Sequence, residues 1–335
     1  MKKPIIIAEA GVNHNGSIKL AKKLIDVAKN AGADYVKFKT FKAAELTTKQ
    51  AKLADYQKKN LKQKKSQYQM LKGLELKKKD HIRLLKYCKK KKIKFLSTAF
   101  DQESLEFLIK KCKIDCIKIP SGEITNLPLL EKAANFRKKI FLSTGMSTLN
   151  DINLALETLK NNGCKLKNIT VLHCVTNYPA NPKELNLAAI KLIKKRFKVN
   201  VGYSDHSLGI LAPIIATCYG AQIIEKHFTL NKNLEGPDHK ASLEPSELKK
   251  MINSIKEIPI MVGRRIKTLS NSEKKNKKIA RKSIVAKKKI LSGEIFTKSN
   301  LTCKRPGHGI SPMNWYKILG KKAKKNYNID EIIKN

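Results

Sequence analysis

Two histidines stand close to carboxylate side chains in the second half of the chain. His206 follows Asp205 in the stretch YSDHS, and His227 lies two residues after Glu225 in EKHFT. Imidazole and carboxylate groups are common ligands of divalent cations. If both histidines lie at the same end of neighbouring strands, they can bind one metal ion. If they lie on separate loops, each forms only local hydrogen bonds. The strands and loops that carry the two histidines therefore determine which alternative holds.

Other residue patterns could bind an anion. Lys118 lies inside the apolar segment CIKIP, where a lysine is costly unless it is paired. Ser121 and Gly122 follow in IPSGE, and STGMS at 143–147 precedes a helical pattern. Hydroxyl and backbone N–H groups in such turns can bind phosphate or carboxylate groups. Ordinary turn and capping chemistry accounts for the serine and glycine signals equally well when each is taken alone.

Three further charged residues end the first two apolar runs. Glu9 precedes a glycine-containing bend in AEAGVNHNG, where a carboxylate could act as a general base or hold a substrate. Lys37 and Lys39 close the second run, GADYVKFK. Because lysine is abundant throughout this chain, Lys37 or Lys39 taken alone indicates solvated surface more than a site. An isolated Glu9 likewise indicates an ion pair with a lysine more than a site.

Along the chain that carries these residues, short apolar runs alternate with helical patterns. Strands are predicted at 5–8, 31–38, 93–98, 116–119, 140–143, 169–173, 199–203 and 222–226. Helical patterns separate them, for example at 17–30, 79–91 and 149–162, while 42–78 is predicted to be a long loop with a short helix. About eight βα units in ~260 residues predict a (β/α)8 barrel. The first strand lacks the glycine fingerprint of the alternative, a doubly wound dinucleotide-binding sheet.

The strand ends strengthen the barrel prediction. Nearly every predicted strand ends in polar or charged residues, from Glu9 on the first to Glu225 and His227 on the last. In (β/α)8 barrels the carboxyl ends of the strands carry the active site. We therefore expect His206 and His227, on adjacent strands, to meet at one barrel mouth.

A second, smaller domain follows the barrel. We predict a barrel domain at 1–262, a polar linker at 263–278, and a small domain at 279–335 with short strands in KSIVAKKKI and IFTKSNLTCKRPG. A short helix is predicted at about 311–319. The loop KRPGHGI contains Arg305, which is either a surface residue or an arm that reaches a barrel mouth.

Composition limits the classes of function. The 335 residues carry a formal net charge of +44, but only seven of the 71 basic residues are arginine. Lysines spread along the whole chain indicate a lysine-rich surface more than a nucleic-acid reader, so we expect no nucleic-acid partner. The chain has no apolar run long enough for a membrane span or a signal peptide, which predicts a cytoplasmic protein. Its seven scattered cysteines predict free thiols.

These motifs together resemble the bacterial sialic acid synthases, which make N-acetylneuraminate or relatives such as legionaminate. The resemblance runs over nearly the whole chain. It is carried by AEAGVNHNG (8–16), GADYVKF (32–38), LSTAF (96–100), IKIPSGE (117–123), LSTGMS (142–147), LHCVTNYPA (172–180), GYSDHSLG (202–209), EKHFT (225–229), GPDHKASLEP (236–245) and KRPGHGISP (304–312).

The resemblance implies a reaction between phosphoenolpyruvate and the open-chain aldehyde of an N-acylated mannosamine. It implies a divalent ion, Mn²⁺ first with Mg²⁺ or Co²⁺ as alternatives, held by His206 and His227. It also implies that the small domain is an antifreeze-protein-like (SAF) domain that swaps across a homodimer. By position, Glu9 matches a carboxylate beside the metal, and Glu123 matches a nearby acid of the site.

The resemblance also assigns substrate contacts. Contacts to phosphoenolpyruvate fall on Lys37, Lys118, Ser121, Tyr178 and Ser204, with Thr176 and Asn177 as the alternatives in a phosphate-side loop. Contacts to the sugar fall on Asp238 and on Arg305, which reaches the N-acyl group in the partner's site. Lys39 stands where the family usually has glutamine, and His308 where small residues are common, so neither position takes over a family role.

The expected function is therefore a sialic acid synthase that uses N-acetylmannosamine. The alternative substrate is 2,4-diacetamido-2,4,6-trideoxymannose, which gives N,N'-diacetyllegionaminate. A synthase for another sugar is a second alternative, although the appended small domain and the KRPG loop argue against it. A polyanion-binding protein on an inactive barrel is the alternative from a different class, and the intact set of polar strand ends argues against that.

Overall fold

The computed structural model describes residues 3–61, 66–264 and 266–334, which form two compact units. The first unit is Met1–Gly263 and the second is Arg264–Asn335. The division falls at the start of the segment predicted to be a linker. Within that segment, the described residues also form most of a helix, Asn271–Ala280.

The first unit is a closed barrel of eight parallel strands in chain order, as the sequence predicts. Each strand pairs with its neighbours along the chain, and the first also pairs with the eighth. The strands are β1 (Ile5–Gly11), β2 (Tyr35–Thr40), β3 (Lys94–Ala99), β4 (Cys116–Ile119), β5 (Lys139–Ser143), β6 (Ile169–Cys174), β7 (Asn200–Asp205) and β8 (Ile223–His227).

Helices follow the strands and cover the barrel. They are α1 (Ile18–Ala31), α2 (Ala43–Leu46), α3 (Asp55–Asn60), α4 (Gln67–Leu74), α5 (Lys78–Lys91), α6 (Gln102–Lys110), α7 (Leu127–Asn135), α8 (Leu149–Asn161), α9 (Ala189–Phe197), α10 (Leu211–Cys218) and α11 (Pro245–Val262). The first shows why such segments are helical. The Ser17 hydroxyl accepts a hydrogen bond from the N–H of Leu20, and Gly32 ends the helix in a left-handed conformation.

The segment 42–78 differs from its prediction as a long loop with one short helix. Its described residues form α2, α3 and α4 and the first residue of α5. Serine and glutamine cap α4, because Ser66 and Gln69 form a reciprocal capping box. These short helices lie between β2 and β3 in the chain, and they line a pocket near the carboxyl ends of those two strands.

The barrel interior is built in layers, because side chains alternate along each strand. One layer is an apolar plug from seven strands: Ile7, Tyr35, Leu96, Cys116, Phe141, Leu172 and Ile223. Gly202 of β7 completes this layer, since a Cβ there would lie 2.5 Å from Leu172 Cδ2 and 2.7 Å from the Ile223 carbonyl oxygen. Two residues further along every strand, the next layer is polar or thiol-bearing: Glu9, Lys37, Thr98, Lys118, Ser143, Cys174, Ser204 and Glu225.

The second unit has its own small core. It contains α12 (Asn271–Ala280), an antiparallel pair formed by β9 (Ser283–Ala286) and β10 (Leu301–Lys304), and the short α13 (Trp315–Ile318). Ile284, Phe296, Leu301 and Tyr327 are among its buried residues. The strands and the short helix lie where the sequence predicts them.

Within the described parts of both units, none of the helices has the length and apolar character that crossing a membrane requires.

Candidate active site

A cavity of about 230 Å³ opens at the carboxyl ends of the barrel strands. The polar layer of the barrel interior forms its floor. The next residues along the strands and loops form its walls, including Lys39, Ser121, Thr176, Tyr178, His206 and His227. All eight strands thus contribute a polar or thiol group to one space, and cationic, acidic and imidazole groups are among them, where a (β/α)8 barrel carries its chemistry.

Two buried lysines on the floor share a carboxylate between them. Lys37 Nζ lies 2.8 Å from Glu9 Oε2, 3.6 Å from Glu225 Oε2 and 3.0 Å from Thr98 Oγ1. Lys118 Nζ donates to Ser143 Oγ at 2.5 Å and lies 3.9 Å from Glu225 Oε1. These partners offset the cost of burying two ammonium groups, as the burial of Lys118 in its apolar strand requires.

The two acids respond differently to this environment. Burial acts to raise the pKa of Glu225, but Lys118 and Lys37 outweigh it and hold the pKa at about 2, so Glu225 is ionised. Burial is also the largest influence on Glu9, and Lys37 offsets it only in part, so the pKa of Glu9 is raised. Glu225 therefore serves as a permanent counter-charge, whereas Glu9 is suited to taking up a proton.

The two histidines face each other across the cavity mouth. Their ring centroids are 5.6 Å apart, and Tyr178 lies 4.0 Å from His206 and 5.7 Å from His227. Gly11 packs beside this pair at a φ of +52°. A Cβ at this position would lie 3.2 Å from Glu9 Oε1 and 3.3 Å from His227 Cε1. The glycine therefore keeps open the space between the Glu9 carboxylate and the His227 ring.

The ring nitrogens of the two histidines differ in their hydrogen bonds. His206 Nδ1 lies 2.6 Å from the carbonyl oxygen of Val175, an arrangement in which Nδ1–H donates and Nε2 is left for another partner. His227 Nδ1 is buried and has no hydrogen-bond partner among the described residues. Burial, reinforced by Lys39, His206 and Lys37, lowers the pKa of His227 well below its ordinary value. A neutral imidazole with an unpaired buried nitrogen is suited to ligating a cation.

A divalent ion fits this donor set. Within the described ranges, no group of three or more His, Cys, Asp or Glu side chains is preformed at ligand distances. Two imidazoles at the cavity mouth can nevertheless hold an ion whose other positions are filled by water or substrate oxygen, as in an open catalytic site. The unpaired Nδ1 of His227 is the observation that favours such a ligand.

The loops after β4, β5 and β6 meet at the wall of the cavity. The backbone N–H of Gly145 donates to Ser121 Oγ at 2.9 Å, and Ser121 Oγ lies 3.4 Å from Cys174 Sγ. A Cβ on Gly145 would lie only 2.0 Å from Thr176 Oγ1. Glycine at position 145 is therefore required for the three loops to approach one another.

A further ion pair borders the cavity near His227. Lys39 Nζ lies 3.2 Å from Asp238 Oδ2, which is itself 3.9 Å from His227 Nδ1. Burial lowers the pKa of Lys39, but the carboxylates of Asp238 and Glu9 outweigh it and raise the pKa above its ordinary value. Lys39 is therefore a cation at this edge of the cavity. The family that the chain resembles usually has a neutral glutamine at this position.

The structure brings most of the predicted site residues together. Those that line the cavity are Glu9, Lys37, Lys118, Ser121, Thr176, Tyr178, Ser204, His206 and His227. Asp238 borders an adjoining pocket and contacts the cavity through Lys39. Arg305 lies in the second unit, so its expected role in a partner's site stays a prediction.

Besides Asp238 and Arg305, two predicted residues do not line the cavity. Glu123 accepts a hydrogen bond from the side chain of Asn126 at 2.6 Å, beside the first turn of α7. Asn177 is exposed, and its side-chain oxygen accepts from the N–H of Tyr178. Of the two alternatives in that loop, Thr176 is the one that lines the cavity.

Five polar side chains line the cavity although they are not among the predicted metal, catalytic or substrate contacts: Lys39, Thr98, Ser143, Cys174 and Glu225. The two-residue period of side chains along a strand could have identified four of them from the sequence. Thr98, Ser143, Cys174 and Glu225 each lie two residues beyond a member of the apolar plug, which places them in the same layer as Glu9 and Lys37.

Comparison with known proteins agrees with this architecture. Residues 24–267 match the NeuB family, and residues 281–335 match the SAF domain. The chain is 54% identical over 334 residues to the N,N'-diacetyllegionaminic acid synthase of Campylobacter jejuni subsp. jejuni serotype O:2, and the match covers 100% of both chains. It is 43% identical over 323 residues to the N,N'-diacetyllegionaminic acid synthase of Legionella pneumophila, covering 96% of this chain and 90% of the other.

A solved structure shows the same fold. The N-acetylneuraminic acid (sialic acid) synthetase from Leptospira borgpetersenii serovar Hardjo-bovis superposes with a TM-score of 0.71 at 34% identity, covering 82% of this chain and 90% of that chain. These matches confirm the expected resemblance and the small domain at the end of the chain. Together with the barrel and its cavity, they show that the chain belongs to the NeuB family of synthases and ends in a SAF domain.

Proposed function

We propose that this protein condenses phosphoenolpyruvate with open-chain 2,4-diacetamido-2,4,6-trideoxymannose and water to give N,N'-diacetyllegionaminate and phosphate. The choice of sugar rests on the two relatives with that printed activity, one of them 54% identical over the whole chain. The sequence-based expectation named N-acetylmannosamine first and the diacetamido sugar as its alternative. The relatives support the alternative better.

The reaction class follows from the family, whose members are phosphoenolpyruvate-dependent synthases that form a C–C bond. In the proposed reaction, the CH₂ carbon of phosphoenolpyruvate attacks the aldehyde carbon with the electron pair of its double bond. The aldehyde oxygen takes a proton and becomes a hydroxyl. Water adds to the adjacent carbon and loses a proton, and phosphate leaves by cleavage of the C–O bond.

The observation that carries this chemistry is the pair of buried ammonium groups on the cavity floor. Lys37 and Lys118 are held by Glu225 and lie on neighbouring parts of one polar layer. Phosphoenolpyruvate carries a carboxylate and a phosphate, and preorganised ammonium groups bind such anions without reorganising during the reaction. Ser121 and the adjoining loop offer hydroxyl and backbone donors for the same substrate.

Glu9 is proposed to accept the proton of the attacking water. Its carboxylate is buried, lies beside Lys37 and approaches the space in front of His227 that Gly11 keeps open. Its raised pKa brings it closer to the working range of a general base than an exposed glutamate. In this arrangement Lys37 orients the carboxylate while it also contacts the anionic substrate.

His206 and His227 are proposed to hold the divalent ion, Mn²⁺ first, with Mg²⁺ or Co²⁺ as alternatives. When bound, such an ion polarises the aldehyde and favours attack at its carbon. The His206 Nδ1 contact to Val175 fixes the ring and leaves Nε2 as the nitrogen available to the ion. Tyr178 packs against both rings and restricts their orientation.

The sugar is proposed to contact Asp238 at the edge of the cavity. The resemblance further implies a homodimer in the cytoplasm, in which Arg305 of one protomer contacts the N-acyl group of the sugar bound to the other. Each complete site of the proposed enzyme then draws residues from two chains.

The test of the proposed function is phosphate release from phosphoenolpyruvate with Mn²⁺, comparing the diacetamido sugar with N-acetylmannosamine, with and without a chelator. We expect chelator-sensitive release and a higher kcat/KM with the diacetamido sugar. The variant His206→Ala should lose metal-dependent release. A higher kcat/KM with N-acetylmannosamine would reject the choice of sugar, and full activity of His206→Ala would reject the metal site.

A further inference from the structure

A smaller apolar pocket lies beside the active-site cavity and has no role in the chemistry proposed for that cavity. Its volume is about 100 Å³. Met70, Leu71 and Leu74 of α4 and Leu46 of α2 line its interior, all from the segment that separates β2 from β3. Met70 is buried and the leucines are half-buried. The pocket can therefore take a small apolar group without a large rearrangement.

The pocket shares a wall with the active-site cavity. Lys39 and Phe100 line both spaces, so these two side chains border the pocket on one side and the cavity on the other. Tyr56 of the pocket lies against Tyr178 of the cavity, with ring centroids 5.0 Å apart. A substrate in the cavity is thus within reach of the pocket at one polar edge.

That edge carries one donor and one acceptor. Lys39 Nζ donates to Asp238 Oδ2 at 3.2 Å, and Asp238 is almost fully buried. An ammonium group has three N–H donors, so this contact leaves donor capacity on Lys39. The pocket therefore combines a cationic donor, an anionic acceptor and an apolar interior within a few ångströms.

This combination complements an acetamido group. The amide N–H of such a group can donate to a carboxylate, its carbonyl oxygen can accept from an ammonium group, and its methyl group can fill an apolar pocket. A sugar hydroxyl could use the polar edge but would leave the leucine-lined interior empty. The chemistry of the pocket thus favours an acylated amine over a hydroxyl.

We propose that this side pocket is the subsite for the C4 acetamido group of the sugar, with Lys39 and Asp238 at its mouth and Leu71 and Leu74 against the methyl group. The inference rests on the proposed function, because N-acetylmannosamine and the diacetamido sugar both have an acetamido group at C2 and only the latter has one at C4. Lys39, in place of the usual glutamine, then contributes to the choice of sugar.

The test compares two sugars that differ only at C4: 2,4-diacetamido-2,4,6-trideoxymannose and 2-acetamido-2,6-dideoxymannose. The measured quantity is kcat/KM for the diacetamido sugar divided by kcat/KM for the sugar with a hydroxyl at C4. It is measured in the wild type, in Leu71→Phe and in a control, Leu154→Phe, which places the same substitution on the exposed face of α8. Filling the pocket should lower the ratio about 10-fold or more, since a misfitting group in an apolar pocket costs that much. The control should keep the wild-type ratio.

Enlarging the pocket provides the second variant. Leu71→Ala should raise kcat/KM for the sugar with a propanamido group at C4 relative to the acetamido sugar, and the melting temperature of each variant checks that the fold is intact. If both Leu71 variants keep the wild-type ratios while the wild type still prefers the diacetamido sugar, the subsite is wrong and the proposed function stands. If the wild type releases no phosphate with the diacetamido sugar, the proposed function fails, and the subsite fails with it.

Discussion

Glu225 is the acid that makes two buried lysines tolerable. Its carboxylate lies 3.6 Å from Lys37 Nζ and 3.9 Å from Lys118 Nζ, and it also accepts a hydrogen bond from Ser204. Each ammonium group would otherwise remain in a low-dielectric interior with less counter-charge. Glu225 therefore stabilises the empty site and competes with an anionic substrate for the same cations.

Replacing Glu225 with glutamine should separate these two effects. We expect Glu225→Gln to lower the free energy of unfolding by about 3 kcal/mol, because it leaves a buried ammonium group without compensation. Added phosphate or phosphoenolpyruvate should then raise the melting temperature of the variant more than that of the wild type. Thermal unfolding with and without phosphate measures both quantities.

Glu244→Gln provides the control, since Glu244 lies outside the cavity at the start of α11. If phosphate raised the melting temperature of Glu225→Gln and of the wild type by the same amount, Glu225 would not compete with bound anions for Lys37 and Lys118.

At the residue scale, the sequence identifies side chains whose chemistry is conspicuous. His206, His227 and Lys118 are found in the cavity as expected, because a histidine or lysine at the end of a buried strand needs polar surroundings that the barrel mouth provides. Glu123 and Asn177 follow strands too, but their backbones have already turned away, and both side chains bond to near neighbours. The direction of a side chain after a strand ends depends on loop conformation, which the residue order does not determine.

At the element scale, the close approach of three active-site loops depends on one glycine. Gly145, between β5 and α8, touches the loops after β4 and β6 through Ser121 and Thr176. A methyl group at 145 would overlap Thr176 Oγ1 and press on Ser121 Oγ, 2.9 Å away. The strands that carry these loops are unaffected, so the damage should be confined to the anion site.

We predict that Gly145→Ala lowers kcat/KM for phosphoenolpyruvate by about 10- to 100-fold, since displacing site groups by about 1 Å has effects of that size. Steady-state phosphate release measures the effect. Gly73→Ala on α4 is the matched control, because Gly73 does not line the cavity and no atom lies within 4 Å of the Cβ it would add, so its activity should stay within about twofold of wild type. Equal activity of the two alanine variants would contradict the close approach of these loops.

Helix α5 buries a histidine that does not line the cavity. His81 is fully buried, and its ring lies 6.4 Å from Phe95 and 6.2 Å from Phe107. Burial lowers its pKa from 6.5 to about 4. The unfolded chain therefore binds a proton at pH values where the folded protein does not.

The sign of the pH effect follows from linkage. Well above pH 6.5 the histidine is neutral in both states, and stability is not affected. As the pH falls from 6.5 to about 4, the unfolded state alone gains a proton, and the free energy of unfolding should fall by up to about 3 kcal/mol. His81→Leu should remove that part of the loss in urea unfolding at about pH 7 and pH 4.5. An unchanged pH dependence would show that His81 is not a source of the acid sensitivity.

At the element scale, the strands were predictable and the short helices were not. Eight apolar runs separated by helical patterns determine the barrel, because a parallel sheet needs crossovers of this length. The period of two also predicts the polar layer, from Glu9 to Glu225, once the apolar plug is identified. The segment that forms α2, α3 and α4 has no clear period, since its few apolar residues contact the pocket and not a continuous core.

The charge of the whole molecule is not the charge of its site. The chain has a formal net charge of +44, whereas around the cavity Lys37, Lys39 and Lys118 are balanced by Glu9, Glu225 and Asp238. The excess therefore lies elsewhere on the molecule. There it can attract anionic substrates at low ionic strength without unbalancing the site.

The two units carry different parts of the proposed active site. The barrel carries the cavity, and Arg305 belongs to the second unit. If Arg305 acts in the site of a partner protomer, a complete site requires two chains. A chain that lacks Arg305 and a chain that lacks a working barrel should then complement each other, which neither could do if every chain completed its own site.

We predict that Arg305→Ala and His206→Ala, each nearly inactive at sugar concentrations far below KM, regain activity when unfolded together and refolded as a mixture. Random pairing makes half of the dimers mixed, and each mixed dimer has one intact barrel served by one intact arginine, so about a quarter of wild-type activity should return. The same variants refolded separately and then assayed together provide the control for subunit exchange. No recovery in the co-refolded mixture, with mixed dimers demonstrated by differently tagged chains, would place the action of Arg305 within its own chain.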